Sequence, residues 1–580
     1  MTRILIALLL FTATSQAETL GGGAFGLGPE STIADLAARP DDSIVACGIL
    51  DSAAAIPKAT QTHLLLRGDH DSGKRAFVAQ FSANLDQLDW IAVFPGDALE
   101  PTRMALGKDG AIAIGGRHLG GLATLDVKQE NWKKSKGALA KVAADGSRVL
   151  WVSPAGPNQG AVTGIAIDHK DRVFFTADST VRQASNYILR KNGETGRNEE
   201  WEKTGWCVYL HPNQEALKAE GQYFAFYDKA KIETENGFGF DYDGPDGWGP
   251  TQFSTHGFRV GGEVLVLPDG DVIVSSCLQY DFRVNKRIAP KPPSPKPKSE
   301  LYSLLDGDEK EKHELIEKPK EIKPKNPKPE PVGNIRKGKS FPAFDYFLAR
   351  YSGEGELRWS TNLYQPGDGV HTPDQKPLDL AYDAKNDAIY VLVHQHGSNK
   401  YRFKGNLVGD TGNLMISWLG RVRAEDGALE NGWYFQNNRH GKFETGGVPK
   451  SPPYPQLAGN ALRRVRSTEG GEVIVAGSAG AKMWTTENAL QTWPPDQGGG
   501  GEGALLRLSP DLNSVQYASC LFADLETSFA VKGLAVTSKG IVIAGSGVFG
   551  GELAGEFTKA DWAAEGVAKG CLLIGLLEEE

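Results

Sequence analysis

The chain has 580 residues, of which 72 are Asp or Glu and 63 are Lys or Arg, for a formal net charge of −9. That balance excludes a general nucleic-acid binder, which needs a basic footprint, and the length allows a sizeable core with insertions. Five cysteines, Cys47, Cys207, Cys277, Cys520 and Cys571, are sparse, odd in number and form no CxxC pair, so no disulfide framework is implied.

Residues Met1–Ala17 read as a secretory signal. Arg3 supplies the positive start, Ile4–Phe11 a short apolar core, and Ser15-Gln16-Ala17 a small-x-small cleavage site. The apolar run is well short of the roughly 20 residues that a spanning helix needs. No later segment is apolar enough to span. The mature chain is therefore expected to be a soluble monomer, secreted or periplasmic, without a transmembrane segment.

Glu18–Phe25 (ETLGGGAF) reads as the end of an outer strand. A strand pair follows and recurs: IADLAARPDDSIVACG from Ile33, RMALGKDGAIAIGG from Arg103, TGIAIDHKDRVFFTA from Thr163 and GEVLVLPDGDVIVSS from Gly262. It returns as LDLAYDAKNDAIYVLV from Leu378, ALRRVRSTEGGEVIVAG from Ala461 and KGLAVTSKGIVIAGS from Lys532. Alternating β-branched residues bounded by Gly, Asp, Asn and Pro mark strands and tight turns. A third strand starts near Ala76, Ala138, Tyr187, Phe347, Leu419, Ala504 and Cys571. The fourth carries an aromatic residue: Trp90, Trp151, Trp201, Trp359, Trp433 and Tyr517. Four antiparallel strands repeated in this way form propeller blades. The fold class expected is all-β: a single seven-bladed β-propeller over residues 18–580, with four-stranded blades. Because the last repeat stops after its third strand, Glu18–Gly22 is expected to pair with Cys571–Leu577 and close the ring.

The unit from Ala461 to Phe522 is the clearest. Its Val473–Ser478 (VIVAGS), Thr485–Gln491 (TTENALQ) and Gly500–Pro510 (GGEGALLRLSP) resemble the bacterial SBBP-type β-propeller repeat. The resemblance implies a secreted bacterial propeller and brings no catalytic motif with it.

Links between first and second strands, and between third and fourth, are short turns such as Lys108–Gly110 and Pro510–Asn513. Long insertions fall between second and third strands or between repeats. Both kinds emerge on one face of a propeller, so that face is expected to carry the function. One insertion, Lys286–Lys339, is dense in Pro and Lys (APKPPSPKPKSE, EKPKEIKPKNPKPEP) and is expected to be extended and without a core. It reads as a solvated insert or as a tether to an anionic surface.

Two GxGxxG matches, Gly21–Gly26 and Gly545–Gly550, lack the βαβ context of a dinucleotide site. His394 and His396 end a second strand, where a period of two puts both imidazoles on one side. His118 holds the similar place in an earlier repeat. His256 and His371 precede first strands, and His440 lies in an insertion. Together these are candidates for ligand binding, acid–base chemistry or a transition metal, or else polar loop residues on separate blades. Asp241, Asp243 and Asp246 in DYDGPDG have the alternating carboxylates of a possible calcium site, or simply the composition of turns. The aromatics from Trp206 to Trp248 either pack that insertion or line a groove.

Two functions follow. The first is a secreted, non-catalytic binding, adhesion or scaffold module with a glycan or protein ligand. The second is an exported hydrolase or lyase acting on a polymer through a His/Asp or metal site on the same face.

Overall fold

The structure is a computed structural model. It describes residues 20–25, 31–52, 56–120, 136–154, 159–179, 207–211, 237–239, 262–280, 343–353, 357–362, 374–396, 401–403, 406–408, 415–436, 439–442, 462–478, 485–489, 503–521, 528–548 and 571–578. The signal segment Met1–Ala17 and the Lys286–Lys339 insert lie outside the described residues.

Every regular element described is a strand. β1 is Leu20–Phe25. One sheet follows from β2 (Thr32–Ala38), β3 (Ile44–Leu50), β4 (Gln61–Leu64), β5 (Arg75–Phe81) and β6 (Leu88–Gly96). The next contains β7 (Leu99–Leu106), β8 (Ile112–His118), β9 (Gly137–Val142) and β10 (Val149–Pro154). Then come β11 (Gln159–Ile167), β12 (Val173–Ser179), β13 (Cys207–His211) and β14 (Gly237–Gly239). A fourth group is β15 (Glu263–Val266), β16 (Val272–Tyr280), β17 (Ala343–Tyr351) and β18 (Leu357–Asn362). β19 (Asp374–Asp383) and β20 (Ala388–His396) are followed by a separate two-stranded ladder, β21 (Tyr401–Phe403) with β22 (Asn406–Val408). β23 (Met415–Arg423), β24 (Leu429–Gln436) and β25 (Arg439–Lys442) complete that sheet. The last strands are β26 (Leu462–Ser467), β27 (Val473–Ser478), β28 (Gly503–Leu508), β29 (Val515–Leu521), β30 (Ser528–Thr537), β31 (Gly540–Val548) and β32 (Cys571–Glu578).

These strands form a β-propeller of antiparallel blades. Most blades are meanders of antiparallel strands, and the first strand of each sheet packs against the first strands of its neighbours. The second strands show why the sequence reads as apolar runs rather than alternation. All seven residues of β3, IVACGIL, are buried, because a blade is covered on both faces by its neighbours. The core is accordingly a set of layers between sheets. Ile33, Phe77 and Phe81 of the β2 sheet pack with Ala535, Val542 and Ala544 of the β30 sheet. On the other face, Val45, Val78 and Phe94 pack with Ile112 and Ile114 of the β7 sheet.

The aromatic residue of the fourth strand latches one sheet to the next. Trp433 Nε1 donates to the Leu512 carbonyl at 2.6 Å, and Trp359 Nε1 to the Ala424 carbonyl at 2.9 Å. Both acceptors sit in a third-to-fourth-strand hairpin of the following sheet. The hairpins present glycine to the ring: a Cβ on Gly427, whose φ is +75°, would lie 2.7 Å from the Trp359 ring. Gly146, φ +72°, stands against Trp90 in the same way.

The structure corrects three expectations. Only five sheets have four strands; two have five. In the first of these, β4 runs parallel beside β6, with Gln61 opposite Trp90, and in the second β25 pairs with β24. Both additions cover an outer edge that would otherwise be open to another chain. The third repeat builds its outer strands from Cys207–His211 and Gly237–Gly239. The strands expected at Tyr187 and Trp201 lie outside the described residues. The link 212–236 joins a third strand to a fourth and so leaves from the hairpin end, which breaks the expected rule that every long insertion shares one face.

The ends of the chain meet. β1 pairs antiparallel with β32, Leu20 opposite Leu577 and Phe25 opposite Leu572, as the fourth strand of the sheet β30–β31–β32. A chain that begins at residue 27 is expected to melt at a lower temperature and to exchange the amides of 571–578 at least about tenfold faster, because β32 becomes an edge strand. Hydrogen-exchange mass spectrometry measures this; unchanged exchange at 571–578 would refute it.

Candidate functional site

The first strand of a propeller blade borders the axis, and here it is interrupted in a repeated way. The ladder register shifts between Ile33 and Asp35, Pro101 and Arg103, Val162 and Gly164, Pro377 and Asp379, Leu462 and Arg464, and Val531 and Gly533. Each shift is a β-bulge, which inserts one unpaired residue and re-aims the side chains around it. The residue after the bulge is thus Asp35, Arg103, Gly164, Asp379, Arg464 or Gly533. In the remaining sheet the ladder starts at the equivalent position, Glu263. Five charged residues therefore stand at one level of otherwise apolar strands.

They form a belt across the axis. Arg103 Nε donates to Glu263 Oε2 at 3.2 Å, its Nη2 also reaches Glu263 Oε1, and Nη2 donates to the Leu378 carbonyl at 3.1 Å. One guanidinium on β7 thereby joins β15 and β19. Asp379 Oδ2 accepts from Arg466 Nη1 at 2.7 Å and from the Val465 amide at 2.9 Å. Asp35 accepts from the Met104 amide at 3.2 Å, with Arg464 Nε 3.6 Å and Arg466 Nη2 4.0 Å away. Arg464 Nη2 donates to the Ala34 carbonyl at 3.0 Å. Asp35 and Asp379 do the same job: each carboxylate takes the amide of the residue that follows the belt arginine on the neighbouring strand.

Burial sets the electrostatics. Asp35, Glu263, Asp379 and Arg464 are no more than 6% exposed. Removal from water pushes the Glu263 carboxyl up to about 7, against the opposing pull of Arg103. The same desolvation would lower Arg103, but Glu263 and then Asp35 outweigh it and raise its pKa. Burial, and next the charge of Asp35, push the neighbouring Cys47 thiol well above its usual range, so it is held as an inert thiol.

A cavity of about 660 Å³ opens on one side of the belt. Asp35, Arg103, Glu263, Asp379 and Arg466 form its floor, Ile165, Ile167, Val264 and Leu380 its walls, and Lys108 and His169 lie toward the hairpin end. The size suits a small molecule, with apolar walls and a few converging polar groups.

The histidines singled out from the sequence lie elsewhere. His394 is half-buried on β20, between Lys376 and Ser417 in the ladder. His396 ends the same strand opposite Asp374 and Met415, and His440 lies opposite Phe435 on β25 of that sheet. The structure thus brings His394, His396 and His440 into one sheet but not onto neighbouring strands. His118 ends β8 and is half-buried, and burial lowers its pKa. None of these four lines the cavity. His256, His371, Asp241, Asp243 and Asp246 lie outside the described residues. Among the described residues no three His, Cys, Asp or Glu side chains are grouped to hold a metal ion. No helix among them is long and apolar enough to cross a membrane.

The belt escaped the sequence reading, although a signal was present. Aligned on their hairpins, the first strands carry Asp, Arg, Gly, Glu, Asp, Arg and Gly in one column, five charges inside apolar runs.

No protein-family model and no curated protein sequence matches the chain. Among solved structures, Kuenenia stuttgartiensis hydrazine synthase is similar at a TM-score of 0.36 with 8% identity, over 84% of this chain and 93% of that one. BamB from Moraxella catarrhalis is similar at 0.33 and 8%, over 95% and 99%. The gluconolactonase XC5397 of Xanthomonas campestris is similar at 0.27 and 10%, over 83% and 87%. Likeness at this level assigns no role to any residue, and the propeller is recognised from its own sheets.

Two outcomes are expected at the belt. Arg103→Met, measured by denaturant unfolding at pH 8, is expected to cost about 3–5 kcal/mol, because it strands a buried carboxylate. R103M/E263L is expected to recover most of that loss; fully additive losses would refute the pairing. The pH dependence follows from Glu263, whose carboxyl stands at about 7 in the native state against an ordinary 4.5. Between those values the folded chain keeps a proton that the unfolded chain has released, so stability falls as pH rises through that window. Glu263→Gln is expected to flatten this slope, and an unchanged slope would show that another group causes it.

Proposed function

We propose that the chain is an exported, non-catalytic, seven-bladed propeller of SBBP-type repeats that binds a glycan or protein partner. The two five-stranded sheets supply the sixth and seventh blades. In support, the inner strands pack in a cycle, β2 on β7, then β11, β15, β19, β26, β30 and back to β2. The pairing of β1 with β32 closes the last of these sheets.

One observation carries the non-catalytic reading. The acids and bases gathered at the axis are engaged with one another: Glu263 with Arg103, Asp379 with Arg466, and Asp35 with Arg464. General acid–base work needs a group within about 3 Å of a substrate proton and able to exchange it. These carboxylates instead hold neighbouring strands. Partner binding then falls to the links, which are unequal at the two ends. Segments 119–136, 281–342, 397–414, 479–502 and 549–570 all follow second strands and leave from the end opposite the first hairpins. Such links are where propellers vary without disturbing the blades.

The test uses residues 18–580, immobilised against panels of bacterial glycans and extracellular proteins, with the same polymers assayed for cleavage. Binding without turnover is expected. A variant lacking residues 287–338 is expected to melt within about 2 °C of the parent, since the segment cannot bury a core. Polymer cleavage that disappears in H394A/H396A would replace this reading with an exported hydrolase or lyase.

A further inference from the structure

The residues inserted by the bulges stand one place before the belt. The cavity is lined by belt residues and by those after them in each strand, never by those before. The bulged residues therefore border the axis on the opposite side of the belt. In two strands they are Thr102 and Thr163, whose hydroxyls donate to the carbonyls of Gly115 and Gly262 at 3.0 and 2.7 Å. In two adjacent inner strands, β26 and β30, they are Arg463 and Lys532.

These two cations have no acidic partner among the described residues. Their charged neighbours are other cations. Desolvation, followed by Arg463 and Arg464, lowers the Lys532 pKa, and desolvation followed by Arg103 lowers that of Arg463. Arg464 stands between them in the chain, 5% exposed, and its buried Nε has no hydrogen-bond acceptor. Counting the belt, Arg103, Arg463, Arg464, Arg466 and Lys532 face, among the described residues, Asp35, Glu263 and Asp379. The axis thus carries an excess of positive charge inside a protein whose net charge is −9. Arg463 is exposed and Lys532 half-buried, so the two cations flank the buried Arg464 where an anion from solvent can reach them, and an opposite charge there relieves the repulsion among the three.

We infer that Arg463, Arg464 and Lys532 form a site for a small oxyanion, a phosphate or carboxylate group, on the side of the belt opposite the cavity. A guanidinium offers a planar fork to two oxygens of such a group, and an ammonium supplies a point charge beside it. The site does not depend on which partner the long links bind, so it is testable without that partner.

The experiment is calorimetric titration of residues 18–580 with sodium phosphate and, separately, sodium acetate, at low and matched ionic strength. Saturable binding of either is expected. Phosphate alone assigns the site to phosphoryl groups, and both together to oxyanions generally. R463Q/K532M is expected to weaken binding at least about tenfold. Lys539→Gln, which removes a cation at a distant hairpin, is expected to leave it unchanged. Circular dichroism checks that the double variant is folded, and the two single variants are read in its place if it is not. Absence of binding for both anions would overturn the inference. So would parental affinity in the variants, or an equal loss in K539Q.

Discussion

The arrangement at the axis depends on one guanidinium. Arg103 leaves β7 and ends on Glu263 of β15 and the Leu378 carbonyl of β19. Arg464 of β26 makes a similar reach to the Ala34 carbonyl of β2, past the β30 sheet, while the latch tryptophans and the hairpin contacts join a sheet to its immediate neighbour. A chain of neighbour contacts behaves like a repeat array, whose stability is a sum of local terms and whose ends can loosen independently. A bond across the axis couples sheets that are not adjacent. The coupling carries a penalty, because both ions are taken out of water. The raised pKa of Glu263 expresses that penalty: desolvation outweighs the attraction of the arginine on the carboxyl. A buried pair of this kind is a device for specifying geometry more than for adding stability.

Around that axis the stability is layered. Each sheet is buried on both faces, so the hydrophobic effect acts between sheets. Apolar side chains provide area but little register. Register comes from directional contacts placed at fixed points of the repeat. The fourth-strand tryptophans donate to carbonyls in the next hairpin, as Trp359 and Trp433 do. At the chain ends, Asp42 accepts from the Ser538 amide at 2.8 Å, tying the first hairpin of the β2 sheet to that of the β30 sheet. These contacts occupy the turns, where backbone groups would otherwise face water alone.

What was legible in the sequence follows from locality. The first and second strands, their Asp/Gly hairpins and the latch tryptophans all show within a short window of sequence. A pairing of Glu18–Gly22 with Cys571–Leu577 was expected because a sheet with a missing strand leaves one place for an unassigned segment; the strand that pairs there is Leu20–Phe25. The outer strands of the third repeat were not. Tyr187 and Trp201 have the right residue types, yet the chain pairs Cys207–His211 with β12, and no local pattern separates the two when long insertions intervene. β4 and β25, QTHL and RHGK, are polar edge strands, made by what they lie beside and not by their own composition. The belt was hidden for another reason. A lone Asp or Arg in an apolar run reads as noise until the repeats are stacked, and its partner is a strand from another repeat. The spacing of His394 and His396 within one strand said nothing about what crosses from the next, and the cavity is lined by other residues.

The two glycines in the belt column explain why two of its places carry no charge. A carboxylate at position 533 would stand beside Lys532 and near Arg463, where it could neutralise them. Packing forbids it: a Cβ on Gly533 would lie 2.6 Å from Leu36 Cγ and 3.1 Å from the Leu36 amide nitrogen. Leu36 is 2% exposed and belongs to the layer that joins the β2 and β30 sheets, so it has little room to move. Gly164 is constrained in the same way, since its Cβ would meet the Glu263 Cα at 2.8 Å. Close approach of neighbouring inner strands thus removes the side chain at two of the seven places in the column. One of those places adjoins the unpaired cations. The packing that brings the β2 and β30 sheets together at this seam therefore also keeps position 533 from supplying a carboxylate to Lys532 and Arg463.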